Sequence, residues 1–208
     1  MPASAGCPSP TSRDEAQDAA SLHLYLKPET AISRSDWPFF VPDWSEDIRA
    51  SVQLVVRINR LGKSIPERYA HRYYDEVTLG ISFTAHDMLK ALAAKGLPWA
   101  TATGFDGAAY CGQQWLRLSE LRQDDGRPAE IQNLGFDVRC NDEAVKHCST
   151  RDMLHTVDEV IAYASRYYLL KTGDLIFTGS PTVTSRVSEG DVISAQLAGL
   201  QVLTCRCK

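Results

Sequence analysis

Residues 134–147 read LGFDVRCNDEAVKH, two short apolar runs on either side of Asn141-Asp142. That is a strand, a tight turn and a returning strand. The same habit continues toward the C-terminus. DLIFTG (174–179), VISAQL (192–197) and QVLTCRC (201–207) are short strands separated by Gly turns, Glu189-Gly190-Asp191 among them. Upstream, SVQLVVRI (51–58) puts Val52, Leu54, Val56 and Ile58 on one face and Ser51, Gln53, Val55 and Arg57 on the other, which predicts a half-buried strand that turns near Gly62. Two helices interrupt the pattern. Thr84 and Asp87 have capping-box spacing and open a helix from Ala85 to Lys95, stopped by Gly96 and Pro98. Ser149 and Asp152 repeat that spacing ahead of Met153, Val157, Ile161, Ala164 and Tyr168, which recur at helical intervals until Thr172-Gly173. Strands outnumber helices and come as hairpins, so the expected class is α+β around a largely β core and not a doubly wound sheet.

The chain has 208 residues, 44% of them hydrophobic, enough for one large domain or two small ones. Its 22 basic and 26 acidic residues give a net charge of −4, so no basic field exists to hold nucleic acid or an anionic membrane surface. No apolar run approaches a membrane span and the first twenty residues lack a secretory core, which makes a cytoplasmic protein the expectation. Residues 1–20 are rich in Pro, Ser, Ala and Asp with no apolar period, the composition of a flexible N-terminal arm, so 21–208 is expected to form a single domain. The aromatic segment Trp37-Pro38-Phe39-Phe40-Val41-Pro42 reads as packed loop. Six scattered cysteines, none at zinc-hairpin spacing, are expected to be reduced thiols.

No Gly-rich phosphate loop, nucleophile elbow or metal-spaced His pair stands out. The ordered stretches YDEVTLGISFTAHDM, GLPWATATGFDG, STRDMLHTVDEVIAYASRYYLLKTGDLIFTGSP and EGDVISAQLAGL nevertheless resemble the fumarylacetoacetate hydrolase family, from about Leu24 to the C-terminus. The most specific piece is Leu170, Gly173, Asp174, Leu175, Ile176, Thr178 and Gly179. The resemblance implies a mixed β-sandwich roll of that family's C-terminal domain type, usually a dimer. It also implies a site that holds Mg²⁺ or Mn²⁺ and acts on acylpyruvates and related β-dicarbonyl acids, by C–C hydrolysis or isomerisation.

Carried over position by position, the family's Glu-x-Glu metal pair falls on Ser51 and Gln53, and its metal Asp on Ser82. The Lys of its Ala-Lys-x-Phe-Asp segment falls on Thr103, with Phe105 and Asp106 retained. Its Gln ahead of Thr150 becomes Lys146, and its Thr-Gly-Thr-Pro loop becomes Thr178-Gly179-Ser180-Pro181. The N-terminal His-x-x-Glu dyad has no counterpart, because residues 1–20 contain no His. Ser51, Gln53, Ser82, Thr103, Phe105, Asp106, Thr178, Gly179, Ser180 and Pro181 are therefore expected to line a pocket whose metal positions carry no carboxylate, with no cofactor and no assigned catalytic residue. Neutral hydroxyl and amide oxygens do not replace the carboxylates a hard dication needs.

Three functions follow. The first is a non-catalytic or weakly active homologue that keeps a pocket for a small anionic diketo acid. The second is an active enzyme using rearranged residues, and the third is a structural or regulatory partner of an intact paralogue. A homodimer is also expected, with Trp37, Phe39 and Phe40 as its candidate apolar patch.

Overall fold

The computed structural model describes residues 3–4, 22–33, 37–122, 126–141, 143–179 and 186–208. In chain order the strands are β1 (Ala3–Ser4), β2 (Tyr25–Leu26), β3 (Ile32–Ser33), β4 (Ile48–Ile58), β5 (Tyr74–Ala85), β6 (Ala109–Cys111), β7 (Leu116–Arg117), β8 (Gly135–Cys140), β9 (Glu143–Ser149), β10 (Leu175–Phe177), β11 (Val192–Leu197) and β12 (Leu200–Arg206). Among the described residues the α-helices are Glu67–Ala70, His86–Ala94, Ala100–Thr103 and Val157–Tyr167. The α+β class expected from the hairpins is what the chain adopts.

One sheet runs β2-β1-β10-β4-β5-β6-β3, with β7 on the end of β5, and is mixed: β1 lies parallel to β10 and β3 parallel to β6. The second sheet, β12-β11-β8-β9, is antiparallel throughout. Its hairpin turns where expected, at Asn141, whose φ of 52° suits an Asn. The Asn141 side chain donates to Asp191 (2.8 Å) and accepts from the Val192 N–H (2.9 Å), fastening the turn to the start of β11.

The central pair is β4 with β5, antiparallel from Ile48↔Ala85 to Ile58↔Tyr74. One face contributes Val52, Leu54, Val56, Val77, Leu79, Ile81 and Phe83 to a core shared with Phe136, Val138, Ile193, Ala195, Val202 and Leu203 of the second sheet. On the opposite face, Val55 packs with Ala109, Cys111, Leu175 and Phe177 in a separate cluster. The expectation of a half-buried strand at 51–58 is thus corrected: Gln53 and Val55 are as buried as their neighbours because β10 and β6 bring side chains to that face.

Both capping boxes also need correction. The helix His86–Ala94 receives no side-chain cap from Thr84, which remains in β5, and Asp87 instead accepts from the Ser45 hydroxyl (2.7 Å) and the Glu46 N–H (2.9 Å). Ser149 caps only a 3₁₀ turn at Thr150–Asp152. The reciprocal box belongs to Thr156 and Glu159, which open Val157–Tyr167. Phe39 does not join a surface patch: it is buried, stacked on Phe83 with centroids 3.6 Å apart, while Trp37 and Phe40 are exposed. Most of the expected arm lies outside the described residues, of which only Ala3–Ser4 are placed, beside β10 and β2.

At Gly112 backbone from the two sheets crowds one position. A Cβ there would lie 2.5 Å from the Val202 carbonyl of β12 and 2.8 Å from the Leu79 carbonyl of β5. Two backbones cannot yield as a side-chain tip can, so Gly112→Ala should lower the free energy of unfolding by about 3 kcal/mol, measured by urea denaturation. A loss below about 1 kcal/mol would mean the sheets separate more easily than their packing implies.

Candidate ligand site

Register assembles the site. Ser51 sits directly opposite Ser82 across the β4–β5 ladder, and Gln53 sits opposite Gly80. Residues two apart share a face, so the three positions that the resemblance assigns to a metal are neighbours on one side of the sheet. Gly80 is required there, because a Cβ would lie 2.7 Å from Phe177 and from Val55. Gln53 is buried but satisfied: its Nε2 donates to Ser51 Oγ (3.2 Å), and its Oε1 accepts from the Gly179 N–H (3.0 Å). The loop after β10 is thereby drawn against β4. Thr178 serves the same junction, its N–H and hydroxyl both donating to the Leu54 carbonyl at 3.1 and 3.0 Å.

Two groups that were not singled out in the sequence complete the cluster. The Tyr25 hydroxyl lies 3.4 Å from Ser82 Oγ, and its ring meets Trp99 edge-on at 5.4 Å. Lys27 is fully buried. Its ammonium donates to the main-chain carbonyls of Ala108 (2.9 Å), Phe83 (3.4 Å) and Thr103, so one side chain ties β5, the helix Ala100–Thr103 and the approach to β6 together. Burial pulls its pKa from 10.5 to about 7. The only sequence signal was a lone Lys at the end of a short apolar run, followed by Pro28.

Thr103 is buried, and among the described residues its hydroxyl is one of two buried side-chain atoms without a hydrogen-bond partner. Phe105 packs edge-on against Trp44 at 5.2 Å, and Asp106 is exposed. Ser180 and Pro181 lie outside the described residues.

The oxygens at Ser51, Gln53 and Ser82 are all neutral. Among the described residues no group of three or more His, Cys, Asp or Glu side chains is placed to hold a metal ion. Asp47 and Asp87 are already engaged elsewhere, by Arg49 and by Ser45, and both carboxyls are held below their ordinary range by those bonds. A hard dication needs ionised oxygens to offset its dehydration, so these donors do not fit Mg²⁺ or Mn²⁺.

A family model described as fumarylacetoacetate (FAA) hydrolase C-terminal matches residues 8–208. The chain is 30% identical over 177 residues to the mitochondrial oxaloacetate tautomerase FAHD1 of Rattus norvegicus, covering 85% of this chain and 76% of the relative. It is 25% identical over 181 residues to the oxaloacetate tautomerase YcgM of Escherichia coli (strain K12), covering 87% and 80%. Among solved structures it is similar to a fumarylacetoacetate hydrolase family protein from Yersinia pestis CO92, with a TM-score of 0.83, 24% identity and coverage of 99% and 91%. It is likewise similar to fumarylpyruvate hydrolase from Pseudomonas aeruginosa in complex with Mn²⁺ and pyruvate, with a TM-score of 0.82, 22% identity and coverage of 99% and 88%. At these identities the structures show a common fold.

Lys27 gives the fold a pH dependence. The unfolded lysine titrates near 10.5 and the folded one near 7, so between these values the unfolded chain binds more protons and stability rises with pH. Below about 7 the cost of the buried ammonium is fully present. Urea midpoints measured from pH 7 to 10 should carry this upward contribution, and Lys27→Met should remove it. A variant with the same pH profile as the parent would refute the assignment.

Proposed function

Because the chain belongs to the fumarylacetoacetate hydrolase family, we propose that it keeps the family's cleft as a metal-independent binding site for a small oxo acid and does not carry out divalent-metal catalysis. One observation carries the reading: Ser51, Gln53 and Ser82 occupy adjacent positions, and Gln53 is satisfied by Ser51 and the Gly179 N–H. Two unit charges about 4 Å apart attract by about 4 kcal/mol at an effective dielectric of about 20, and a dication doubles that for each carboxylate. Three neutral oxygens forgo those terms. Without a Lewis acid there is no polarised diketo oxygen and no activated water for C–C hydrolysis. The ligand class is drawn from the relatives, described as oxaloacetate tautomerases, and from the pyruvate complex of the Pseudomonas aeruginosa protein. Within this reading the two sheets form a mixed β-sandwich roll, supported by the core side chains they share.

A second reading is favoured by the 30% identity to the rat enzyme: an oxaloacetate tautomerase that moves its proton with other groups. Metal content of the purified protein, with turnover of oxaloacetate and acetylpyruvate, separates the two. The expected result is no bound metal, no Mg²⁺ or Mn²⁺ affinity tighter than about 1 mM by calorimetry, and no metal-dependent turnover. The triple variant Ser51→Glu, Gln53→Glu, Ser82→Asp should gain metal binding, because the register already holds those three positions together. It should not gain full turnover, because position 103 still lacks an ammonium group. Tight metal binding by the natural sequence would overturn the reading. So would metal-dependent turnover.

We also propose a homodimer formed through exposed Trp37, Phe40 and Trp44. Light scattering should give twice the 23.0 kDa chain mass, and a particle of single-chain mass at micromolar concentration would defeat it.

A further inference from the structure

Lys27 is a buried ammonium whose hydrogen-bond partners are dipoles and not charges. Its nitrogen donates to the carbonyls of Phe83, Thr103 and Ala108, and it forms no ion pair with any carboxylate among the described residues. Three carbonyls satisfy its three N–H groups but leave its charge without a counter-charge, and such a charge is costly to bury. The Tyr25 ring and the Thr103 main chain connect it to a cluster of hydroxyls, on Tyr25, Ser51, Ser82 and Thr103, each able to rotate and donate. The Tyr25 ring is 5.9 Å from the Lys27 nitrogen, while the Tyr25 hydroxyl reaches Ser82. The Thr103 hydroxyl is buried and unpartnered, and its residue's own carbonyl is one of the three that hold Lys27.

We infer that Lys27 sets the charge preference of this site, so that it selects a small monoanion over its neutral analogue without any metal, with the Thr103 hydroxyl donating to the bound ligand. The inference rests on the metal-independent binding reading and adds which charge is recognised and by what. In a site lined with carboxylates a metal must reverse the local field before an anion can enter. Here the lining is neutral, and the charge that Lys27 acquires on protonation is positive, so the protonated site favours an anion. Lys27 itself touches main chain and not the ligand, which makes it a positioning charge acting through space.

That mode of action couples binding to a proton. Around Lys27, β5 and the helix Ala100–Thr103 present the main-chain carbonyls of Phe83 and Thr103, Ala108 presents its carbonyl, and the facing titratable side chain is Tyr25. Burial pulls the ammonium down to about 7, so at pH 8 most of the free protein holds a neutral amine. An anion bound nearby favours the ammonium, so complex formation takes up a proton.

The test is calorimetry on the full chain in EDTA at pH 8, with pyruvate and its neutral isostere pyruvamide, in two buffers of different ionisation enthalpy. Pyruvate should bind at least about tenfold more tightly than pyruvamide and take up a fraction of a proton. Lys27→Met should abolish both the preference and the uptake. Thr103→Val should weaken pyruvate several-fold while keeping the uptake. If Lys27→Met does not fold, the preference and proton uptake of the natural protein still decide the matter. Equal affinities in EDTA, no proton uptake, or no binding of pyruvate would overturn the inference. Pyruvate binding that appears only when Mn²⁺ is added would instead sink the metal-independent reading beneath it.

Discussion

The antiparallel pairing of β4 with β5 constrains everything around it. Eleven residues of one strand face twelve of the other, with a register shift only at the Arg57–Ile58 end. Because side chains alternate with a period of two, that register fixes at once which residues enter the shared core and which face β10 and the Tyr25–Lys27 segment. A slip of one residue would carry Ser82 to the opposite face from Ser51 and drive Ile81 and Leu79 out of the core. The apolar face therefore holds the polar one in place: the site depends on burial of Val52, Leu54, Leu79 and Ile81, which lie on the other side of the sheet.

Hairpin chemistry was the most legible part of the fold. Asn141 at a positive φ between two alternating runs, and Gly190 ahead of β11, announce their turns locally, so the second sheet could be read residue by residue. The first sheet was harder. β5 was not recognised as a strand from the sequence, although Val77, Leu79, Ile81 and Phe83 alternate cleanly, and the helix that follows drew attention to Thr84 and Asp87 instead. Thr84 failed as a cap because strand pairing with Arg49 claimed its backbone. A tertiary contact outbid a local propensity there, and also at Ser149, where the chain needed one 3₁₀ turn before Thr156 opened the longer helix.

For the site, family resemblance supplied Ser51, Gln53 and Ser82 as positions, and the register places them side by side. It did not supply Lys27 or Tyr25. Their roles arise from contacts spanning 56 to 81 residues of sequence, and no local pattern encodes which carbonyls a lysine will meet. A lysine ending an apolar run reads as an exposed strand terminus. Only the arrival of Phe83, Thr103 and Ala108 around it turns it into a buried cation.

The bridges that close the structure join distant parts of the chain: Phe39 with Cys207, Gly62 with Leu170, and Thr178 with Leu54. During synthesis the β4–β5 pair leaves the ribosome long before β10, β11 and β12 exist to cover it. For that interval two apolar faces and their open edges stand in water, and every later contact must close a large loop before it stabilises anything. The nascent chain is thus most vulnerable to association with other chains between completion of β5 and arrival of β12.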